Sequence, residues 1–184
     1  MSKEQEQTDV VGSDTAVAEP DTAAATATAA LAGKYLTFKT ADEEYGLEIL
    51  KVQEIIKMME ITSVPRTPHF VKGVVNLRGK VIPVIDLRLK FDMPELEATE
   101  MTCIIVVQVA RENDSVTMGI IVDEVSEVLD IAADEIEPTP EIGSTADRRF
   151  ILGMAKSSGT VKILLDVDSV LSAEDMAIVA ETAA

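Results

Sequence analysis

Apolar, β-branched residues recur along this chain in short runs broken by glycine, proline or charge. The clearest run is residues 73–87, GVVNLRGKVIPVIDL. Val74 and Val75 lead into an Arg78-Gly79 pair; Val81, Ile82, Val84 and Ile85 lead out of it. Val and Ile suit a pleated, half-buried surface, and glycine tolerates the positive φ of a tight turn. The pattern predicts a β-hairpin with Arg78 at its tip. Pro83 has no amide hydrogen to donate, which predicts that its strand lies at an edge or a bulge. Residues 35–38 read as a short strand, 41–44 as a polar turn, and 102–109 as a strand buried on both faces, followed by a turn at 111–115. Residues 45–59 fit a helical period at Ile49, Val52, Ile55, Ile56 and Met59, and a strand period at Tyr45, Leu47 and Ile49.

An internal repeat settles that ambiguity. Phe70, Gly73, Gly79, Val81 and Asp86 recur 80 residues later as Phe150, Gly153, Gly159, Val161 and Asp166. Upstream, Gly46, Val52, Glu54 and Pro65 recur 73 residues later as Gly119, Val125, Glu127 and Pro138. The change of register implies a seven-residue insertion between Pro138 and Phe150. Two registers with glycine, proline and aspartate at matched places predict two copies of one small β unit. The second copy of the ambiguous segment, residues 118–129, is dense in β-branched residues, so both copies are expected to be strands. Residues 64–68 form a loop fixed by two prolines, and 130–144 read as a long acidic loop. Residues 150–155 and 161–167 repeat the hairpin. Ser172 and Asp175 form an S-x-x-D capping box before Met176, Ile178 and Val179, which predicts a helix over about 172–182.

The expected organisation is a first copy at about 34–97, a second at about 98–171, and the helix. Residues 1–33 differ: Ala and Thr dominate, with six acidic residues against one Lys. That composition predicts a disordered acidic tail, in which residues 23–32 have some helical tendency. A unit of about 60 residues is marginal alone, and two packed together remove the problem. Regular short strands with turn signals and little helix predict small β-barrels.

The net charge is −17. Nucleic-acid binding depends on Lys and Arg neutralising phosphates, so this balance argues against it, and against anionic membrane surfaces. Cys103 is the single cysteine, so no disulfide framework exists. The N-terminus shows no secretory signal, and no apolar run approaches the ~20 residues of a bilayer helix. A cytoplasmic protein without direct membrane insertion is expected.

The candidate chemistry is sparse. One histidine, His69, has no neighbouring ligands, whereas zinc needs three or four. Cys103 lies in an apolar strand without a His to activate it, and reads as an inert thiol. Residues 73–80 miss the spacing of a phosphate loop, and Val81 stands where Ser or Thr would hold magnesium. Asp86 and Asp166 follow matched strands and read as turn or helix caps rather than a carboxylate pair. No catalytic set, metal site or cofactor site is expected.

Three ordered blocks carry a resemblance. Residues 44–55, EYGLEILKVQEI, resemble the opening of the CheW-like family of chemotaxis coupling proteins. FVKGVVNLRG at 70–79 with IPVIDLR at 82–88, and GIIVDEV at 119–125, are similar as well. The likeness spans about 35–180 and implies a mainly β domain over 34–180: two intertwined five-stranded SH3-like barrels with a short C-terminal helix. Members of the family join the cytoplasmic tips of chemoreceptors to the histidine kinase CheA, binding the kinase through its own CheW-like regulatory domain, and build receptor arrays at the membrane. Phosphotransfer, ATP-binding and receiver domains have no counterpart in these residues, so the resemblance implies a free-standing, non-enzymatic adaptor.

The family motif places Val52, Val125 and Val128 along a groove between the barrels, with Glu54 and Arg78 at its edge. Such a groove suits the ridges of a helical receptor tip. The plainer readings are valines in the core and a solvated turn arginine. Glu124 stands where some members have Gly. The alternatives are a coupler of another receptor–kinase pathway, such as twitching motility, and a small-molecule enzyme in the groove. The latter would need clustered ionisable groups there.

Overall fold

The computed structural model describes residues 29–140 and 149–182, so the expectations for most of the acidic tail and for 141–148 lie outside it. The strands are β1 (Gly33–Thr40), β2 (Glu43–Glu48), β3 (Val52–Lys57), β4 (Val71–Leu77), β5 (Lys80–Asp86), β6 (Cys103–Ala110), β7 (Ser115–Val122), β8 (Glu124–Ile131), β9 (Ile136–Glu137), β10 (Ile151–Ser157) and β11 (Thr160–Leu165). Helix α1 (Leu87–Lys90) follows β5, and α2 (Ala173–Thr182) ends the described chain. One sheet has the order β8-β1-β2-β11-β10-β9, the other β3-β6-β7-β5-β4.

Those two orders are the same order with the copies exchanged. By the sequence repeat, β3, β4 and β5 match β8, β10 and β11, and β2 matches β7; the ladders pair β1 with β2 as they pair β6 with β7. The first sheet therefore takes β1 and β2 from one copy and β8, β10 and β11 from the other. The parallel joints agree residue for residue: Gly46 sits opposite Leu164, and its mate Gly119 opposite Val84, the mate of Leu164. The copies are thus intertwined.

Each sheet closes on itself. Beyond β3, Thr62 exchanges two backbone hydrogen bonds of 2.9 Å with Val74 of β4, joining the ends of that sheet. Beyond β8, β9 does the same with β10. Gly73 and Gly153 occur where those closures press in. A Cβ at Gly73 would lie 2.0 Å from the Thr62 carbonyl oxygen, and one at Gly153 would lie 3.0 Å from that of Glu137.

Three apolar clusters follow from this closure. Val75, Ile82, Val84, Ile104, Val106 and Ile121 fill one barrel; Tyr35, Ile131, Ile136, Ala155 and Leu164 fill the other. The largest cluster lies between them, with Phe38 and Leu47 of one sheet against Ile105 and Ile120 of the other, and with Met176 and Val179 of α2. Burial at ~25 cal/mol per Å² of apolar surface makes this seam the main source of stability. Four of the six aromatic side chains line up beside it. Phe38–Tyr45, Tyr45–Phe91 and Phe91–Phe150 have ring centroids 5.8, 5.9 and 5.5 Å apart.

Two expectations are met only in part. Pro83 does not mark an edge strand, because β5 lies between β7 and β4. Its pairing with β7 begins at Val84, one residue beyond the proline, so the missing amide falls where no β7 partner exists. A register shift in β4 opposite Ile85 and Val84 supplies the irregularity. The acidic stretch from 130 is likewise not all loop: β8 runs to Ile131, a short helical turn covers Ala133–Glu135, and Ile136 is buried in β9. The C-terminal helix forms as expected. The Asp175 amide donates to Ser172 Oγ and the Ser172 amide to Asp175 Oδ2, both at 3.1 Å.

Candidate partner-binding surface

The hairpin tip is built by its turn. Arg78 and Gly79 have φ of 53° and 83°, the two positive values that a type I′ turn requires. The Gly79 amide donates to Asn76 Oδ1 at 2.9 Å, which fixes the bend. Ser158 and Gly159 repeat these angles at the tip of the second hairpin. The Arg78 side chain is 74 % exposed and forms an ion pair with Glu54 of β3. The structure thus brings two of the expected site residues together, across the closure of their barrel. An exposed pair of this kind adds little to stability and leaves most of the five guanidinium donors open to a partner.

Strands β3 and β8 stand at equivalent ends of their sheets, each laddered on one side only, to β6 and β1. Val52 and Val125, one on each, are half-buried and pack on the seam cluster between the barrels. Val128 is 50 % exposed on β8. Its repeat mate on β3 is Ile55, also exposed, at 45 %. The same relation links Val81 and Val161, exposed at 48 % and 50 %. Two repeat-related pairs of aliphatic residues are therefore exposed, and Ile55 was not among the expected site residues. Subtracting the 73-residue offset from Val128 would have found it.

Cys103 is half-buried and its thiol is pushed up by burial, opposite to the shift a nucleophile needs. His69 is exposed, 3.1 Å from the Leu89 carbonyl oxygen. Asp86 Oδ1 accepts the Arg88 amide at 2.9 Å and Asp166 Oδ1 the Asp168 amide at 3.1 Å, so both are caps. Among the described residues no group of His, Cys, Asp and Glu is placed to hold a metal ion. The apolar groove of about 240 Å³ between Tyr45, Phe91, Met93, Phe150 and Ile163 offers Lys90 and Asp92 at its rim. Lys90 is already engaged by Asp175 and lies 4.4 Å from the centre of the Phe70 ring. No described helix is long and apolar enough to cross a membrane.

A model of the CheW-like domain matches residues 34–175, the whole two-barrel body. The chain belongs to the CheW-like family. It is 40 % identical over 146 residues to the chemotaxis protein CheW of Klebsiella aerogenes, covering 79 % of this chain and 86 % of that one. CheW of Rhizobium meliloti is 36 % identical over 140 residues, covering 76 % and 88 %. The crystal structure of the scaffolding protein TtCheW from Thermoanaerobacter tengcongensis superposes with a TM-score of 0.69 at 36 % identity, covering 78 % of this chain and 95 % of that one. This chain is thus a CheW-like chemotaxis scaffold of two SH3-like barrels, the architecture that the resemblance implied.

Proposed function

We propose that this protein is a non-enzymatic coupler that holds a chemoreceptor's cytoplasmic tip and the CheW-like regulatory domain of the histidine kinase CheA in one assembly. The observation that carries this reading is the pairing of exposed aliphatic residues on β3 and β8 beside the Arg78–Glu54 ion pair. A helical partner lays its apolar face against such aliphatic surface, and an arginine at the rim is a recurrent interface anchor. Val52, Val125 and Val128 supply the apolar walls, and Glu54 and Arg78 orient the partner at the rim. The site operates in the cytoplasm, and the protein reaches the membrane by binding the receptor array.

The test is a pull-down with a purified receptor-tip fragment and a purified kinase regulatory domain, together and apart. Both should be retained, and the three should form one complex. Arg78→Ala should weaken receptor binding by roughly 1–3 kcal/mol while the fold persists. Unchanged receptor binding in that variant would remove Arg78 from the site. Failure of both partners to bind the native chain would end the coupling reading.

A further inference from the structure

Two ion pairs of opposite polarity stand where the chain crosses from one sheet to the other, on corresponding segments of the two copies. In the first, Asp123 lies between β7 of one sheet and β8 of the other. Its Oδ1 accepts from Arg88 Nε at 2.8 Å, and Arg88 Nη2 closes a second bond to Oδ2. Asp123 Oδ2 also accepts the Ala41 amide, at the end of β1, at 2.8 Å. One carboxylate therefore ties three segments drawn from both sheets.

The second clamp joins the corresponding segments. Asp168 is the mate of Arg88, 80 residues on. Its Oδ2 accepts from Lys51 Nζ at 2.7 Å, and Lys51 stands at the crossover from β2 to β3. Asp168 Oδ1 accepts the Ala110 amide, at the end of β6, at 2.8 Å. Ala41 and Ala110 are equivalent by strand register, because Thr37 faces Gly46 as Val106 faces Gly119. In one clamp the carboxylate sits on the crossover and the cation after the hairpin; in the other the two are reversed.

We infer that these charge-swapped clamps fix the angle between the two barrels, and so act as positioning residues for the groove between them. This rests on the coupling function above. Lys51 immediately precedes Val52, and Asp123 precedes Val125 by two residues, so each clamp anchors the start of one groove wall. The Arg88 side chain is 12 % exposed, and a charge that far from water is costly to leave without its partner. Arg88 is also bidentate, which sets direction as well as distance. A rotation of one barrel would break the clamps before it disrupted either barrel's interior.

The protein supplies its own test, because the second clamp shows that reversed polarity works at these positions. Spin labels at Lys80→Cys and Thr160→Cys, in a Cys103→Ser background of the full chain, report the distance between barrels. Arg88→Asp should broaden that distribution and lower affinity for a receptor-tip fragment at least about tenfold. Arg88→Asp with Asp123→Lys should restore a narrow distribution and bring affinity back to within about threefold, the new carboxylate taking the Ala41 amide as Asp168 takes that of Ala110. Circular dichroism monitors the fold. If Arg88→Asp alone fails to fold, recovery by the double variant supports the clamp, and failure of both overturns it. A single variant with native distance and native binding also overturns it, as does a folded double variant that recovers neither. Should the native chain bind no receptor tip, the coupling function falls, and the distance measurements alone uphold or overturn the clamp.

Discussion

Gly73 and Gly159 separate two reasons for a glycine. Gly73 has φ of +141° and the Thr62 backbone against its α-carbon, whereas Gly159 has φ of +78° in open space. Gly73→Ala should lower the free energy of unfolding by about 3 kcal/mol or more, since backbone must move, and Gly159→Ala by about 1–2 kcal/mol. Urea denaturation distinguishes them. Asp86 offers a test of sign. Burial is the main influence on it and raises its carboxyl above the ordinary range, despite the amide bonds from Arg88 and Leu89. The folded state then holds that proton more tightly than the unfolded one, so ionisation at neutral pH costs stability, and the loss is recovered as pH falls through the folded value. Asp86→Asn keeps an acceptor for the Arg88 amide. Its urea midpoint should rise at pH 7, and the gain should vanish in acid. At this scale the turn at Arg78 and both capping aspartates were legible in the sequence. The sequence concealed Lys51, Asp123 and Asp168, whose partners lie 35 to 117 positions away and obey the repeat only after a one-residue stagger at the crossover.

Helix α2 was legible in the sequence because its signal is local. Ser172 and Asp175 lie within one turn and satisfy each other's amides. Burial raises the Asp175 carboxyl, but hydrogen bonds from Ser172 and Lys90 outweigh it and leave the group below its usual range. Its contribution is therefore present above the ordinary carboxylate range and lost as pH falls through the lowered value. Ser172→Ala should cost about 1 kcal/mol and speed amide exchange in the first turn of α2 more than elsewhere. Strand β5 shows the opposite case. Whether Pro83 lies at an edge depends on β7, 35 residues on, and no local pattern reports which neighbour a strand acquires. Strand β9 escaped notice because two paired residues carry no period of their own, and only the closure of the barrel orders them.

At the scale of the molecule the repeat was visible in the residues themselves, whereas the exchange between its copies was implied only by the family resemblance. Matched residues reveal that two units exist; they carry no information on whose strands complete whose sheet. The exchange yields a direct expectation. Residues 29–97 and 98–184, produced separately, should each lack a stable fold, because each half would hold strands of two incomplete sheets and half of the seam. Mixed at equal concentration they should regain the far-ultraviolet spectrum of the intact chain and cooperative unfolding. Two halves that each unfold cooperatively alone would contradict the exchange. Long-range pairings such as β1 with β8 also place this chain among slow folders, since distant segments must meet before either sheet is complete.

That interlacing has a genetic corollary. A recombination event that moved one repeat unit into another gene would deliver strands without their neighbours, so the pair must travel as a single inherited block. Substitutions in either repeat are then felt by both barrels at once, and neither copy is free to drift toward a separate occupation.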